Sequence, residues 1–376
     1  MNVYKIYLVI LFSILYKINE AQNKFEVAIS FPASINLNKI SIEYYNGKET
    51  ILVKSDSINR QVLIHDMYYT DNPILMISYI KDERLVNYPN RYLLKEKSKI
   101  VFNINSSGDL VNEKLINAID FKDAGERQFD EFAKKELKVF NEFLLKNVKY
   151  FNDSLSLYEK YLKLDAVVKE KKLMFIKSNS NLYYSFWVFK NEFVSNTDYN
   201  AKRLLNIYGK YFSNQRKSTF EGKLVLKILQ GRINSVKGRM APLFTANDIK
   251  GNVIELKKFR NKYVILNFWA SWCKPCVAEM PALDSIYKYC SKNKIAIISV
   301  SQDQNKENCL KAIQKYQMNW MNIFNDPMVN NAYGNNPALP QVYLIDKTGK
   351  IIYSRTDDKD YDLNKLIGIV KKLGLL

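Results

Sequence analysis

The chain has 376 residues, of which 47% are hydrophobic, and a formal net charge of +19 at pH 7. Its length suggests two or three domains, and its apolar content is sufficient for packed cores, which argues against a disordered chain. Residues 239–376 carry 20 basic and 12 acidic side chains and the rest carries 37 and 26, so the positive charge is spread along the chain. Because nucleic-acid binding needs clustered charge, we interpret the excess as a lysine-rich solvated surface and expect no nucleic-acid partner.

Residues 1–21 have the layout of a secretory signal peptide. Lys5 precedes an uncharged apolar run from Ile6 to Tyr16, and the small residue Ala21 stands before Gln22. The run is too short for a comfortable membrane span. We therefore predict cleavage near Gln22 and a folded protein outside the cytoplasm, in a bacterial periplasm. The alternative is a short uncleaved membrane anchor.

Residues 22–109 have the pattern of a β-rich domain. Their short alternating segments, separated by turn clusters such as Asn46-Gly47, predict an antiparallel β-sandwich. The predicted strands are Phe25–Phe31, Lys39–Tyr44, Thr50–Lys54, Gln61–His65, Leu75–Tyr79 and Lys99–Asn103. His65 is the single histidine of the sequence, and without a second ligand at metal spacing we interpret it as a strand residue.

Residues 110–238 change to helical periodicity. Helices are predicted at Arg127–Leu145, Ser156–Ile176, Asn200–Phe212 and Phe220–Val236. The aromatic run Tyr183–Trp187 could line a ligand-binding site, but aromatic residues at helical spacing more often fill a core. This region has no visible catalytic constellation, and we interpret it as a helical link that offers a partner or dimer surface.

Residues 239–376 have the pattern of an α/β domain. Buried strands are predicted at Val264–Phe268 and Ile295–Val300, with a lead-in hairpin over Pro242–Tyr263. Further elements are predicted as helices at Lys274–Cys290, Asn305–Gln317 and Leu363–Leu373, and as a hairpin of Gln341–Asp346 with Ile351–Arg355. The resulting β-α-β-α-β-β-α order predicts a mixed central sheet with helices on both faces.

Two cysteines separated by two residues, Cys273 and Cys276, stand between the first buried strand and the first helix of this domain. A strand delivers the first sulfur to the start of a helix, where unpaired backbone N–H groups and the helix dipole stabilise a thiolate. The second sulfur lies close enough to form a disulfide. The alternative is half of a zinc site, but Cys290, Cys309 and His65 do not supply the spacing of a second ligand pair, so we expect no metal.

The segment resembles the thioredoxin fold, and specifically the TlpA/ResA-like extracytoplasmic thiol–disulfide oxidoreductases. The resemblance covers nearly all of residues 239–376 and is carried by Ala241–Phe244, Asn267–Cys276, Glu279–Pro281 and Pro337–Asp346. Residues 22–238 resemble, more loosely, the N-terminal β domain and helices of some family members, whose role is unknown.

The resemblance implies a role for each residue of the cysteine motif. Cys273 would be the attacking sulfur and Cys276 the resolving sulfur. Lys274 and Pro275 between them would tune the pKa of the first thiol, and a lysine there should favour its thiolate form. No cofactor is expected beyond this redox-active disulfide.

The resemblance also implies residues that contact the substrate and residues that handle protons. Pro340 would be the family's cis-proline beside the cysteine pair, and Leu339 and Trp272 would contact the substrate. Thioredoxin has an aspartate at the position of Asn267, which cannot take a proton. Glu279, three residues after Cys276, would instead serve as the acid/base for the resolving thiol.

Cys290 and Cys309 are expected not to form a disulfide with each other. We expect the helices that carry them to lie on opposite faces of the sheet, because right-handed crossovers that run in opposite directions place helices on opposite faces. Both cysteines are therefore interpreted as small buried side chains.

The function predicted from these features is reduction of protein disulfides in the cell envelope, with a membrane electron donor. One alternative is a disulfide-forming oxidant, although that group resembles Cys-Pro-His-Cys. Another is an envelope partner-binding protein in which the redox domain is auxiliary. A peroxidase is disfavoured because Ala270 stands where that family has threonine. The sequence does not choose an oligomeric state or a substrate.

Overall fold

The structure is a computed structural model that describes residues 23–47, 49–53, 58–70, 72–81, 84–85, 90–106, 108–150, 154–290, 294–334 and 339–376. The predicted signal segment, residues 1–21, lies outside these residues. No helix in the described ranges is both long enough and apolar enough to cross a membrane.

The chain divides into two compact units. The N-terminal unit runs up to Phe189 and also includes Tyr211–Lys223, and the C-terminal unit consists of Lys190–Lys210 and Leu224–Leu376. The helical region predicted at residues 110–238 is thus shared between the units. The boundaries after residues 109 and 238 stay predictions.

The N-terminal unit contains the expected β-rich domain, which buries one face of a single curled sheet. Its strands are β1 Asn23–Ser30, β2 Ile40–Tyr45, β3 Thr50–Leu52, β4 Gln61–Tyr68, β5 Ile74–Lys81, β6 Arg84–Leu85, β7 Asn90–Ile104 and β8 Leu110–Asp120. They run in the order β3-β2-β5-β7-β1-β4, with β6 paired to β5 and β8 to β7. All pairs are antiparallel except β1 with β7.

This single sheet differs from the two facing sheets of a sandwich. Alternation of apolar and polar residues shows that one face of each strand is buried, as at Phe25, Val27 and Ile29. It does not show whether that face packs on a second sheet or on the same sheet as it curls.

The helical region forms helices close to their expected positions. They are α1 Arg127–Phe132, α2 Lys134–Asn147, α3 Leu155–Ser178, α4 Tyr183–Val188, α5 Ala201–Tyr211, α6 Asn214–Ser218 and α7 Phe220–Asn234. The predicted helix Arg127–Leu145 is interrupted at Ala133, whose φ of −110° and ψ of 20° are not helical. In α4, Tyr183, Tyr184 and Phe186 are buried, which agrees with a core role for the aromatic run.

The C-terminal unit is built on a five-stranded mixed sheet preceded by a small hairpin. The hairpin pairs β9 Thr245–Asn247 with β10 Val253–Glu255, and the sheet strands are β11 Tyr263–Trp269, β12 Ile295–Ser301, β13 Met321–Phe324, β14 Gln341–Ile345 and β15 Ile351–Ser354. Their order is β13-β12-β11-β14-β15. The first three are parallel, and β14 is antiparallel to both of its neighbours. This confirms the predicted mixed sheet.

Helices pack on both faces of this sheet. They are α8 Lys274–Tyr289, α9 Lys306–Lys315, α10 Pro327–Ala332, α11 Arg355–Asp358 and α12 Asn364–Lys372. One core joins α8, α9 and α12 to Ile265, Trp269 and Ile297, and a second core on the other face joins α10 to Leu266 and Phe268. Strand β13 and helices α10 and α11 are additions to the predicted order, since elements of four to six residues are too short to give a periodic signal.

The prediction that Cys290 and Cys309 do not pair is confirmed, because both are free and buried. The reason given for it is wrong, since both cysteines contribute to the same core. Strands β11, β12 and β13 follow one another across the sheet, so the two right-handed crossovers run in the same direction. Both connecting helices therefore lie on one face.

Candidate active site

The two motif cysteines lie at the junction between β11 and α8. Trp269 ends the strand and is fully buried, and Cys273 is the N-cap residue of the helix. The backbone N–H of Cys276 donates to Cys273 Sγ at 3.3 Å, so this sulfur occupies the place of a capping side chain. Lys274 and Pro275 form the exposed start of the helix, where proline is tolerated because its missing N–H has no helical partner.

The two sulfurs form a disulfide. Their separation is 2.02 Å and the two Cα atoms are 5.3 Å apart. Cys273 is 5% exposed and Cys276 is 1% exposed. Cys273 is therefore the more exposed of the two residues, and its sulfur lies where the helix dipole stabilises negative charge.

The predicted substrate contacts lie around this junction in different environments. The Leu339–Pro340 peptide bond is cis, which is the form that the resemblance implies, and it directly precedes β14. Leu339 packs against the core cluster that contains both motif cysteines. Trp272, next to Cys273, is 66% exposed and is available to an approaching molecule.

Asn267 lies on β11 and is buried. Its side-chain NH₂ donates to Ser299 Oγ at 3.2 Å, and Trp320 Nε1 donates to the same oxygen at 2.8 Å. This arrangement is neutral, so Asn267 satisfies a buried hydrogen bond and offers no site for a proton.

Glu279 lies three residues after Cys276 on α8, on the same side of the helix. Only 6% of it is exposed, and its Oε1 accepts from Arg355 Nε at 2.9 Å. Burial raises the pKa of Glu279 to about 7, more than the nearby Arg355 guanidinium lowers it. A carboxyl group that titrates near neutral pH can exchange protons with a thiol during catalysis.

Two charged residues of this site were not singled out in the sequence. Arg355 directly follows β15, and Asp303 follows β12. Asp303 accepts hydrogen bonds from Ser271 N at 3.0 Å and Ser271 Oγ at 2.6 Å, and from Ser301 Oγ at 2.7 Å. An acidic residue just after a parallel strand is a sequence signal that could have identified Asp303, because the carboxyl ends of neighbouring parallel strands meet at one edge of the sheet.

Asp303 is expected to fix the loop that carries Cys273. Replacing Asp303 by alanine removes the acceptor for three donors, and we expect the free energy of unfolding to fall by about 2 kcal/mol, the scale of hydrogen bonds to charged groups. Urea unfolding of the oxidised protein measures this change. Ser285→Ala, at an exposed hydroxyl on α8, is the matched control, and equal stability of Asp303→Ala and the native protein would contradict the role.

In the part of the chain that the structure describes, no group of three or more His, Cys, Asp or Glu side chains could hold a metal ion.

Comparison with known proteins places this site in a family. Residues 237–354 match the model of the AhpC/TSA family. The thiol–disulfide oxidoreductase ResA of Geobacillus thermodenitrificans is 37% identical over 115 residues, which is 30% of this chain and 66% of the relative, just under two thirds of its length. The ResA of Bacillus thuringiensis is 33% identical over 137 residues, which is 36% of this chain and 78% of the relative.

Among solved structures, the thioredoxin domain of a thiol–disulfide oxidoreductase from Bacteroides vulgatus is 29% identical and aligns with a TM-score of 0.33. The alignment covers 37% of this chain and 97% of that domain. The match to the Bacillus thuringiensis ResA covers more than three quarters of that relative's length. The chain belongs to the ResA family of thiol–disulfide oxidoreductases.

Proposed function

We propose that this protein reduces disulfides of other proteins outside the cytoplasm through a mixed-disulfide intermediate. The observation that carries the proposal is the Cys273–Cys276 disulfide at the N terminus of α8, with the buried carboxyl of Glu279 on the same side of that helix. Stepwise thiol–disulfide exchange needs an attacking sulfur and a resolving sulfur, and a neighbouring carboxyl group can accept the proton of the resolving thiol.

In the first step, the Cys273 thiolate of the reduced protein attacks one sulfur of a substrate disulfide. A bond forms between Cys273 and that sulfur, the substrate disulfide breaks, and the departing substrate sulfur takes a proton. The greater exposure of Cys273 and its place at the helix start support this assignment.

In the second step, Cys276 loses its proton to Glu279 and attacks Cys273 Sγ. The mixed disulfide breaks, the second substrate thiolate leaves, and the Cys273–Cys276 disulfide forms. Two electrons have then moved from the cysteine pair to the substrate. A membrane dithiol donor must supply two electrons to restore the reduced pair.

The direction of the reaction rests on the residues between the cysteines. Lys274-Pro275 differs from the Pro-His pair typical of disulfide-forming oxidants, which favours a reductase. The reduction potential separates the two functions: a value near about −270 mV agrees with the reductase, whereas one near about −120 mV would make the protein an oxidant.

Trapping of the mixed disulfide tests the proposed function. Cys276→Ser removes the resolving sulfur, so we expect substrates to stay attached to Cys273 as adducts that dithiothreitol releases. Non-reducing electrophoresis and mass spectrometry of envelope extracts measure the adducts.

The Cys273→Ser/Cys276→Ser double variant is the matched control and should capture nothing. Absence of adducts from a folded Cys276→Ser protein would contradict the mixed-disulfide mechanism.

A further inference from the structure

The buried carboxyl group beside the cysteine pair is held by a single arginine from a distant part of the chain. Arg355, 76 residues after Glu279, is 8% exposed. Its Nε and Nη2 atoms both approach Glu279 Oε1 at 2.9 Å. Two contacts from one planar group to one buried oxygen fix the carboxyl in place more firmly than a surface ion pair does.

The guanidinium also contacts the loop after α11. Arg355 Nη2 donates to the Tyr361 carbonyl oxygen at 3.4 Å, and its Cζ lies 5.3 Å from the centre of the Tyr361 ring. Arg355 is therefore oriented by α11 and by the loop that follows it, and it can keep its position whichever protonation state Glu279 adopts.

Other titratable groups around Glu279 have the opposite effect. Asp360 is buried and accepts from Tyr353 Oη at 2.8 Å, and Asp362 lies in the same loop. Both carboxylates, together with burial, raise the pKa of Glu279, while Arg355 lowers it. Tyr353 also faces Glu279, and its pKa is raised by burial and by Asp360. Among the titratable groups named here around Glu279, Arg355 carries the positive charge.

We propose that Arg355 is a positioning residue that holds the Glu279 carboxylate in place and stabilises its charged form, so that Glu279 can accept the proton of Cys276. This inference rests on the proposed function. With the cation removed, a carboxyl group in this buried site close to two other carboxylates would stay protonated to higher pH. It could then accept no proton from the resolving thiol.

The resolving step moves one proton and breaks one bond for the bond that it forms. Cys276 gives its proton to Glu279, the Cys276 sulfur forms a bond to Cys273 Sγ, and the bond from Cys273 to the substrate sulfur breaks. Glu279 becomes neutral, and Arg355 keeps its contact with the Tyr361 carbonyl. The next reduction of the disulfide returns the proton to Cys276 and restores the ion pair.

The test separates the two exchange steps with Ellman's reagent as the substrate. The reduced full-length protein should release nitrothiobenzoate twice, first when Cys273 attacks and again when Cys276 resolves the adduct. The ratio of the second rate to the first is measured across pH for the native protein, Arg355→Met, Arg355→Lys and Glu279→Gln. Circular dichroism reports the fold of each variant.

For the native protein, we expect the second rate to rise with pH through a midpoint near the Glu279 pKa of about 7. Arg355→Met should move this midpoint upward by about one pH unit or more, the scale of one nearby opposite charge, and slow resolution about tenfold on its acid side. Arg355→Lys keeps the charge but loses the planar fork, so its midpoint should lie between the two. Glu279→Gln should remove this pH dependence.

An unchanged midpoint in folded Arg355→Met would overturn the role of Arg355. If that variant does not fold, Arg355→Gln, which also removes the charge, takes its place, and an unchanged midpoint in folded Arg355→Gln overturns the role. Absence of a second release from the native protein would refute the proposed function itself, so the two failures are distinguishable.

Discussion

Cys273→Ser is expected to abolish disulfide exchange while leaving the fold intact. A serine hydroxyl can accept the N-cap hydrogen bond from the Cys276 N–H that Cys273 Sγ now accepts, so α8 should still begin at Lys274. The hydroxyl has no thiolate form and cannot attack a disulfide sulfur. The assay follows the rate at which dithiothreitol reduces insulin with and without the protein. With Cys273→Ser, this rate should fall to the uncatalysed rate.

Cys290→Ala provides the matched control for this loss. Cys290 is a free buried thiol in the same core as the motif cysteines, and burial raises its pKa, which disfavours the reactive thiolate. This variant should keep the native rate. Native activity in Cys273→Ser would contradict the assignment of the attacking sulfur.

Glu279→Gln is expected to change how stability depends on pH. Burial raises the pKa of Glu279 from its ordinary value of 4.5 to about 7, so the folded protein holds this proton more tightly than the unfolded chain does. The resulting stabilisation is fully present below about pH 4.5 and is lost as pH rises through about 7. The native protein should therefore lose about 3 kcal/mol relative to Glu279→Gln over this interval.

Urea unfolding of the oxidised full-length protein at several pH values, followed by tryptophan fluorescence, measures this difference. Glu307→Gln is the matched control, because Glu307 is an exposed helix glutamate paired with Lys311 at 2.7 Å. Its difference from the native protein should stay within about 0.5 kcal/mol, as expected for a surface pair. Parallel pH curves for Glu279→Gln and the native protein would contradict the burial of an ionisable Glu279.

The local features of the site could be predicted because they depend on neighbours in the chain. A buried strand, a pair of cysteines and a helix that tolerates Pro275 in its first turn stand in one short segment, and the structure has β11, Cys273 at the N-cap and α8 in that order. The cis bond before Pro340 could be expected only through the family resemblance, since a cis X–Pro bond leaves no periodic signal.

The sequence by itself determined where the redox pair lies, which residue stands at the helix start and that the C-terminal unit is a mixed sheet with helices. These are consequences of hydrophobic periodicity and of helix-start chemistry, which act over a few residues. It did not show that β1–β8 form one curled sheet, or that Cys290 and Cys309 share a face, because both depend on strand order.

Only the tertiary structure decided what surrounds the sulfurs. Ser271 meets Asp303 across neighbouring parallel strands, and Glu279 meets Arg355 across 76 residues. Neither contact can be predicted from the spacing of residues along the chain. Each joins a residue at the end of a strand to another element, and the order of the strands in the sheet brings the two together. The proton affinity of Glu279 depends on that assembly, since burial, Arg355 and the two aspartates act on it only after the chain has folded.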